Sequence, residues 1–475
     1  MIEFKGVWFR YAGRDWVLRG VNLTIHEKET VLLIGKTGSG KTTIAKLITG
    51  LIPSLYHGEL RGEILVDGVS TREMDPHLLS EKIKLVPQNP YLSFTDPLVR
   101  NDLYSHAEEV WEPGKAERAV RKAVEATGIS SLLDKYFFEL SGGQTRRVVT
   151  AKALVSNPRV IVFDEPLMWL DDKGVQDFLK LVETLRFMGK TLIIIEHRFI
   201  HFLRSVDRVL VLREGKIFDE TEEVFKTLRA TLSEKPSVLK QESERIENKA
   251  RGVVAEVKEV YYNYGSSKVL RGLSLTVFDG DFVVIYGENG SGKTTLLRLL
   301  AGYVKPEKGR VFLRGRAVYI PQNISLFYTE ETVRREIEEV CKRREDKRGC
   351  VEKLSRRAVS IGATLDQSPF TLSHGQQVRL ALELASSIPG VQLLLLDEPF
   401  SGLSYVDRPV VLQALLEKNI AKIVATSSLE IPPHYLEKAR VKVLSDGALK
   451  NPDDVTYSRH WLSIDVSVLK KIYGE

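Results

Sequence analysis

The sequence predicts an α/β fold in which two domains, each built around a mainly parallel β-sheet, follow one another along the chain. Continuous apolar strand segments alternate with helical segments in both halves, which is typical of a parallel sheet covered on both faces. One series of motifs also occurs twice in the same order, so that Lys41 corresponds to Lys293 and Asp164 to Asp397. The chain is therefore interpreted as a duplication.

The predicted elements follow the same order in each half. Strands are predicted at residues 2–11, 31–34, 160–163 and 192–195, and at 253–264, 282–285, 393–396 and 423–425. Helices follow at 43–49 and 295–301, and mostly helical regions at 96–136 and 330–363. The second half is shorter where the first half has residues 51–72, predicted as strand and turn at a sheet edge. The expected domains are 1–230 and 251–455, with a linker at 231–250 and a tail at 456–475.

A glycine-rich loop follows a buried strand in each half, G-K-T-G-S-G-K-T in the first and G-E-N-G-S-G-K-T in the second. Both loops fit the phosphate-binding pattern G-x-x-x-x-G-K-[ST], in which backbone N–H groups and the next helix's N-terminus face the same anion. A chance glycine-rich turn is the alternative for one match, but two matches in the correct context exclude it. The predicted nucleotide-binding residues are Gly35, Gly38, Ser39, Gly40, Lys41, Thr42 and Thr43, and Gly287, Gly290, Ser291, Gly292, Lys293, Thr294 and Thr295.

An acidic pair ends a buried strand in each half, as Asp164-Glu165-Pro166 and Asp397-Glu398-Pro399. A carboxylate at that edge of a parallel sheet, beside a phosphate loop, can hold Mg²⁺, and the following glutamate can orient an attacking water. An ordinary acidic strand end is the alternative for an isolated pair. The predicted metal-binding residues are Thr42, Gln88, Asp164, Thr294, Gln322 and Asp397.

The segments L-S-G-G-Q (140–144) and L-S-H-G-Q (372–376) each precede a predicted helix. Serine and glycine at a helix start can bind an anion through hydroxyl and backbone N–H groups, although a plain helix cap is the alternative. Together with the loops and acidic strand ends, these segments make the sequence resemble the ATP-binding-cassette ATPases over nearly its whole length. The resemblance implies two P-loop NTPase domains, each with a parallel core, an antiparallel β subdomain and a helical subdomain, and implies that ATP lies between one half's loop and the other half's signature.

The resemblance also assigns residues to two unequal sites. For the first site it implies Tyr11, Lys41, Thr42, Gln88, Asp164, Glu165 and His197, with Ser373, Gly375 and Gln376 from the other half. For the second it implies Tyr264, Lys293, Thr294, Gln322, Asp397 and Glu398, with Ser141, Gly142, Gly143 and Gln144. The expected catalytic residues are Glu165, His197 and Glu398, and the expected cofactors are ATP and Mg²⁺.

Three positions depart from the family pattern in the second half. His374 replaces the usual signature glycine, Ser427 stands where the first half has His197, and Ser404 stands where it has Asp171. Histidine can donate a hydrogen bond near the γ-phosphate, whereas serine is shorter and never cationic. The first site is therefore expected to hydrolyse ATP and the second mainly to bind it.

Composition limits the partners and the compartment. Lys and Arg number 69 against 63 Asp and Glu, a formal charge of +6, so no nucleic-acid partner is expected. Cys341 and Cys350 lie in a charged helical stretch and are expected to form neither a disulfide nor a metal site, which favours a reducing cytosolic compartment. No signal peptide or apolar run long enough to cross a bilayer is found, so any membrane role is expected to be peripheral, on the cytoplasmic face.

The segments that begin at Gln88 and Gln322 correspond in the family to a groove that receives a helix of a membrane subunit. The resemblance is greatest to importer ATPases of the energy-coupling-factor type, which drive vitamin or transition-metal uptake through separate membrane subunits. The alternative function is that of a soluble twin-cassette ATPase of the translation machinery. The alternative to the docking groove is that Tyr91, Phe94 and Phe327 are simply buried aromatic residues. Whether the halves pair with each other or with a second copy stays open.

Overall fold

The computed structural model describes residues 1–226 and 252–452, except Thr37, Trp169, Ser266, Val406, Leu429 and Pro432. The chain divides into two compact units, and the described residues 1–226 belong to the first and 252–452 to the second. The expected linker at 231–250 and tail at 456–475 lie outside the described residues. Each unit is described separately below.

The described part of the first unit contains ten strands. They are β1 (Ile2–Tyr11), β2 (Leu18–Ile25), β3 (Thr30–Gly35), β4 (Gly58–Val66), β5 (Val69–Ser70), β6 (Ile83–Val86), β7 (Val160–Asp164), β8 (Thr191–Ile195), β9 (Arg208–Arg213) and β10 (Lys216–Asp219). Six form one sheet in the order β10-β9-β3-β8-β7-β6, parallel except for the β9–β10 hairpin. The others form an antiparallel sheet in the order β2-β1-β4-β5.

The helices of the first unit lie around these sheets. They are α1 (Lys41–Ile48), α2 (Leu51–Ser54), α3 (Pro76–Lys82), α4 (Val99–Val110), α5 (Pro113–Thr127), α6 (Gly142–Val155), α7 (Asp172–Phe187) and a segment, α8, described over 221–226. Short 3₁₀ turns occupy Pro90–Ser93, Ser130–Leu132, Phe137–Glu139 and Phe199–Phe202. Apolar residues of α1 pack between the antiparallel sheet and one face of the parallel sheet, which fixes the start of α1 beside the ends of β3 and β7.

The second unit repeats this plan with fewer elements. Its strands are β11 (Val253–Tyr264), β12 (Ser267–Phe278), β13 (Phe282–Tyr286), β14 (Lys308–Leu313), β15 (Arg316–Ile320), β16 (Val391–Asp397), β17 (Ala421–Thr426), β18 (Arg440–Ser445) and β19 (Ala448–Lys450). The mainly parallel sheet runs β15-β16-β17-β13-β18-β19, and the antiparallel sheet runs β12-β11-β14. Its helices are α9 (Lys293–Leu300), α10 (Val333–Cys341), α11 (Lys347–Ser360), α12 (His374–Ser387), α13 (Asp407–Leu416) and α14 (Pro433–Leu436), with 3₁₀ turns at Ile324–Phe327 and Pro369–Thr371.

The two parallel sheets have the same strand order. Each unit also carries an antiparallel sheet, and a helical region between the second and third strands of its parallel sheet along the chain. This architecture confirms the predicted fold class of two tandem α/β domains, each built around a mainly parallel sheet. Between α1 and β6 the first unit has α2, β5 and α3, for which the described second unit has no counterpart. The prediction of strand and turn at 51–72 was therefore wrong for Leu51–Ser54, which is helical.

The prediction for the cysteines was also wrong. Cys341 ends α10, Cys350 lies in α11, and the two form a disulfide with their Cα atoms 5.8 Å apart. A short segment connects α10 and α11, and the two helices pack against each other. This packing brings the two cysteines, nine positions apart, close enough to bond. The cysteines therefore give no support to a reducing compartment.

Candidate functional site

Each phosphate-binding loop holds its lysine in the same way. The Lys41 ammonium donates to the carbonyl oxygens of Gly35 at 2.9 Å and Lys36 at 2.8 Å, and the Lys293 ammonium donates to Gly287 O at 2.7 Å and Glu288 O at 3.1 Å. Both lysines are buried, so their charge lies inside the loop. This places a cation and the N-terminus of α1 or α9 beside one pocket, an arrangement that binds phosphate.

The last glycine of each loop is required by the backbone. Gly40 and Gly292 precede the helices with φ of 105° and 104°, in the left-handed region that side chains disfavour. A Cβ at Gly40 would also lie 2.5 Å from Val17 Cγ1. The loop therefore closes tightly against the neighbouring strand only because this position lacks a side chain.

Four of the six predicted metal residues meet at the ends of β7 and β16. Thr42 Oγ1 lies 3.3 Å from Asp164 Oδ1, and Thr294 Oγ1 lies 2.7 Å from Asp397 Oδ2. The other oxygen, Asp397 Oδ1, is buried and has no hydrogen-bond partner within the described residues. A hydroxyl and one carboxylate oxygen beside a phosphate loop fit Mg²⁺, which takes few protein ligands and completes its shell with phosphate and water. No group of three or more His, Cys, Asp or Glu side chains that could hold another metal occurs in the described part of the chain.

The first candidate catalytic glutamate is held on both sides. His197 Nε2 lies 2.9 Å from Glu165 Oε1, and Gln88 Nε2 donates to Glu165 Oε2 at 2.6 Å. Glu165 itself has φ of 46°, a strained backbone that turns its side chain away from the strand direction. Its N–H donates to Ile195 O at 2.8 Å, which fixes this turn to the neighbouring strand β8.

Electrostatics separate the two acidic residues of this site. Burial would raise the pKa of Glu165, but the hydrogen bond and charge of His197 and the charge of Lys41 outweigh it, so the pKa of Glu165 lies below its ordinary value. Burial and the neighbouring Glu165 charge raise the pKa of Asp164 to about 6, opposed by the hydrogen bond from Thr42. The glutamate is thus the stronger acid of the two.

The second glutamate is held differently. Glu398 has the same strained backbone, with φ of 47°, and its N–H donates to Ala425 O at 2.8 Å. Its carboxylate lies 3.5 Å from the Lys293 ammonium and accepts hydrogen bonds from the backbone and hydroxyl of Ser427. Gln322 is exposed and makes no hydrogen bond to Glu398 within the described residues. Burial raises the pKa of Glu398, in contrast to Glu165.

The tyrosines assigned to the nucleotide base end the first strand of each unit. The Tyr11 hydroxyl is 3.1 Å from Thr43 Oγ1, and its ring packs edge-on against Phe9 at 4.9 Å. Tyr264 is exposed, packs edge-on against Tyr262, and interacts electrostatically with Arg298 of α9. Each tyrosine is therefore anchored to the helix that follows its own phosphate loop.

Both signature segments form the start of a helix. Ser141 accepts a hydrogen bond from Gln144 N while the Gln144 side chain accepts from Ser141 N, and Ser373 and Gln376 repeat this capping box. His374 is the first residue of α12 and is partly exposed. The plain cap is thus real in both units, and an anion-binding role at the same place stays a prediction.

Two contacts of the site were missed by sequence reasoning. Arg146, in α6, is buried and donates to Pro87 O at 2.6 Å, Gln88 O at 3.2 Å and Glu165 O at 3.4 Å. Burial lowers the pKa of Arg146 to about 10. In the second unit the Tyr319 hydroxyl donates to Asp397 Oδ2 at 2.8 Å. The sequence offered one signal for these contacts, a difference between the halves. Val378 stands in the second half where the first has Arg146, and Leu85 stands in the first half where the second has Tyr319.

Comparison with known proteins identifies the family. Residues 18–168 and 270–401 each match the family described as ABC transporter. A putative ABC transporter ATP-binding protein of Sulfurisphaera tokodaii is 31% identical, over 96% of this chain and 98% of that protein. A protein of the same description from Treponema denticola is 29% identical, over 94% of this chain and 96% of that protein. The chain therefore belongs to the ABC transporter family and carries two fused ATP-binding cassettes.

A solved structure agrees with the fold. The chain described as RNase-L Inhibitor superimposes with a TM-score of 0.62 at 22% identity, covering 94% of this chain and 91% of that one. At this identity the likeness shows the fold alone. Family membership makes the chain an ATP-binding protein of the ATPase class. None of its described helices has the length and apolar character that a membrane crossing requires.

Proposed function

We propose that this chain is the Mg²⁺-dependent ATP-hydrolysing subunit that powers import of a small solute, of the vitamin or transition-metal type, through separate membrane subunits. The observation that carries the ATPase part is the Glu165 carboxylate, held by His197 on one oxygen and Gln88 on the other. The proposed cassettes are residues 1–230 and 251–455. The proposed location is the cytoplasmic face of the membrane, through the partner subunits.

The residues of the first site suggest how hydrolysis proceeds. Lys41 and the backbone N–H groups of the loop stabilise charge on the transferred phosphoryl group, and bound Mg²⁺ supplies further neutralisation. Glu165, whose pKa is low, stays ionised and orients a water for in-line attack. His197 holds the carboxylate in this orientation through the contact at 2.9 Å.

The second site is proposed mainly to bind ATP. Glu398 has neither a histidine nor a glutamine partner within the described residues, and burial favours its neutral form. A carboxyl group whose pKa is raised offers less of the ionised form that orients and polarises water. The loop, Lys293 and Thr294 are arranged as in the first unit, so nucleotide binding does not depend on this glutamate.

Single-turnover hydrolysis in matched variants tests this asymmetry. Glu165→Gln is expected to abolish most turnover, whereas Glu398→Gln is expected to leave most of it. Both substitutions replace a carboxyl group by an amide of the same shape, and nucleotide binding measured in parallel separates chemistry from affinity. Equal losses in the two variants would refute the asymmetry.

The proposal includes the pairing of opposite motifs that the family resemblance implies, whether within the chain or with a second copy. Ser373 and Ser141 cap their helices in the same way, so arginine at either position removes the same hydrogen bond. Ser373→Arg is expected to slow hydrolysis at the first loop much more than Ser141→Arg. If the Ser141 variant were the slower one, the pairing would be wrong.

An exposed aromatic surface on the first unit supports coupling to a membrane partner. Tyr91 is 43% exposed, Leu92 79%, Tyr136 46% and Phe138 68%, and the Tyr136 and Phe138 rings stack at 5.3 Å. Phe94 is partly buried and joins this surface because its ring stacks at 5.0 Å on the ring of Phe137, which precedes Phe138 in the chain. These aromatics follow Gln88 or precede the signature, so a partner there would contact the segments that reach the site.

Co-purification from native membranes tests the coupling. Phe138→Asp is expected to release membrane subunits while ATP binding is retained. Phe187→Asp is the matched control, because Phe187 is 95% exposed at the end of α7, away from this surface. Recovery of membrane subunits with the Phe138 variant would refute the docking surface. Recovery of ribosomal proteins instead would favour the soluble translation-linked alternative.

A further inference from the structure

The metal-binding aspartate of the second unit accepts two hydroxyl hydrogen bonds on one oxygen. Asp397 Oδ2 receives Thr294 Oγ1 at 2.7 Å and Tyr319 Oη at 2.8 Å. The other oxygen, Oδ1, is buried and has no hydrogen-bond partner within the described residues. The carboxylate is therefore fixed in rotation, with one oxygen saturated and one available to a ligand.

Tyr319 is itself fixed in place. It lies on β15, next to β16, and its neighbour in that strand pair is Leu395, two residues before the aspartate. Arg298, one turn along α9 from Thr294, interacts electrostatically with the Tyr319 and Tyr264 hydroxyls. The Tyr303 ring packs edge-on against Tyr319 at 5.8 Å. These contacts hold the phenol where it reaches the carboxylate.

The first unit lacks this arrangement. Leu85 occupies the position of Tyr319, as shown by its pairing with Val162 on the next strand. Lys46 occupies the position of Arg298 and contacts the ring of Tyr56 instead. The contact between Thr42 and Asp164 is correspondingly longer, at 3.3 Å.

We infer that Tyr319 is a positioning residue that orients Asp397 for Mg²⁺ and thereby raises the Mg²⁺ affinity of the nucleotide-bound second site above that of the first. Tyr319 would not contact the metal, because its hydroxyl donates to Asp397 Oδ2 whereas the oxygen available to a ligand is Oδ1. A hydrogen-bonded partner of a metal ligand commonly changes metal affinity by about 10- to 100-fold. This inference rests on the proposed binding of Mg²⁺ and ATP at the second site.

The test uses the full chain with Lys41→Ala, so that the signal comes from the second loop. Binding of a fluorescent ATP analogue is titrated with Mg²⁺, which measures metal affinity without hydrolysis. Tyr319→Phe is expected to raise the Mg²⁺ concentration for half-maximal binding about tenfold. Tyr303→Phe is the matched control, because it removes a phenol hydroxyl from the same cluster without a contact to Asp397, and it should change nothing.

A second variant separates orientation from packing. Arg298→Met keeps the Tyr319 hydroxyl but removes the guanidinium group beside it. A rise in the Mg²⁺ requirement smaller than that of Tyr319→Phe is therefore expected. Equal thermal unfolding midpoints without nucleotide show that the variants are folded. An unchanged requirement in Tyr319→Phe, or an equal rise in Tyr303→Phe, would overturn the inference alone. Failure of the Lys41→Ala chain to bind nucleotide would refute the proposed function at this site, and the inference with it.

Discussion

Replacement of His197 by serine gives the first site the side chain that the second site has at Ser427. His197 is buried at the end of β8, and its Nε2 lies 2.9 Å from Glu165 Oε1. Serine is too short to span that distance from the same backbone position. The Gln88 contact at 2.6 Å to the other oxygen would remain, so the glutamate would lose one of its two side-chain partners.

The expected size follows from the single hydrogen bond removed. A buried hydrogen bond to a charged group contributes about 1.5–3 kcal/mol. If this contribution is made fully in the transition state, the hydrolysis rate falls about 10- to 150-fold. Nucleotide affinity should change little, because the contact to His197 lies on the glutamate and the loop that holds phosphate is untouched.

Single-turnover hydrolysis of labelled ATP with excess protein measures the chemical step. Ser427→Ala is the matched control in the other half and should have little effect, because the second site is expected mainly to bind. A fall of less than about threefold in His197→Ser would mean that the hydrogen bond does not orient the base. An equal fall in Ser427→Ala would refute the difference between the sites.

Three other predictions concern stability. Burial lowers the pKa of Lys422 to about 8, so its charge opposes folding below that pH, and this penalty disappears as the pH rises toward 10.5. Lys422→Leu, which copies Leu192 of the first unit, should therefore raise the free energy of unfolding by about 1–2 kcal/mol at pH 7 after solvent screening. Denaturant titration should show no such gain near pH 10.5. Removing the bridge with Cys350→Ser should cost about 2–3 kcal/mol in that assay, and reductant should destabilise the original chain but not the variant. Arg146→Met leaves three partly buried carbonyl groups without their donor and should cost about 2–3 kcal/mol, whereas Arg147→Met, in the same helix, should cost little.

Local patterns predicted the loops and the central strands because each depends on a few adjacent residues. The glycine positions of the loop are dictated by backbone angles, and the acidic pair follows a strand that is apolar throughout. Such features need no knowledge of distant contacts. The paired sheets and the positions of Lys41 and Lys293 were therefore accessible from the sequence.

Contacts between distant segments were not accessible. Gln88 and Gln322 begin similar segments, yet only Gln88 hydrogen-bonds to its glutamate in the described chain, because side-chain placement depends on the packing of the whole unit. The disulfide was missed for the same reason, since the approach of Cys341 and Cys350 depends on how α10 and α11 turn against each other. The family resemblance placed His197 and Glu165 in one site, but their direct contact was not predicted.

The two cassettes share a single polypeptide, and this has a consequence for their evolution. In an assembly of identical subunits, every substitution would appear in both reaction centres at once. Here a gene can change one codon, such as that of Ser427 or Tyr319, while His197 and Leu85 remain as they are. Fusion thus allows the two reaction centres to diverge, as the proposed division between binding and hydrolysis requires.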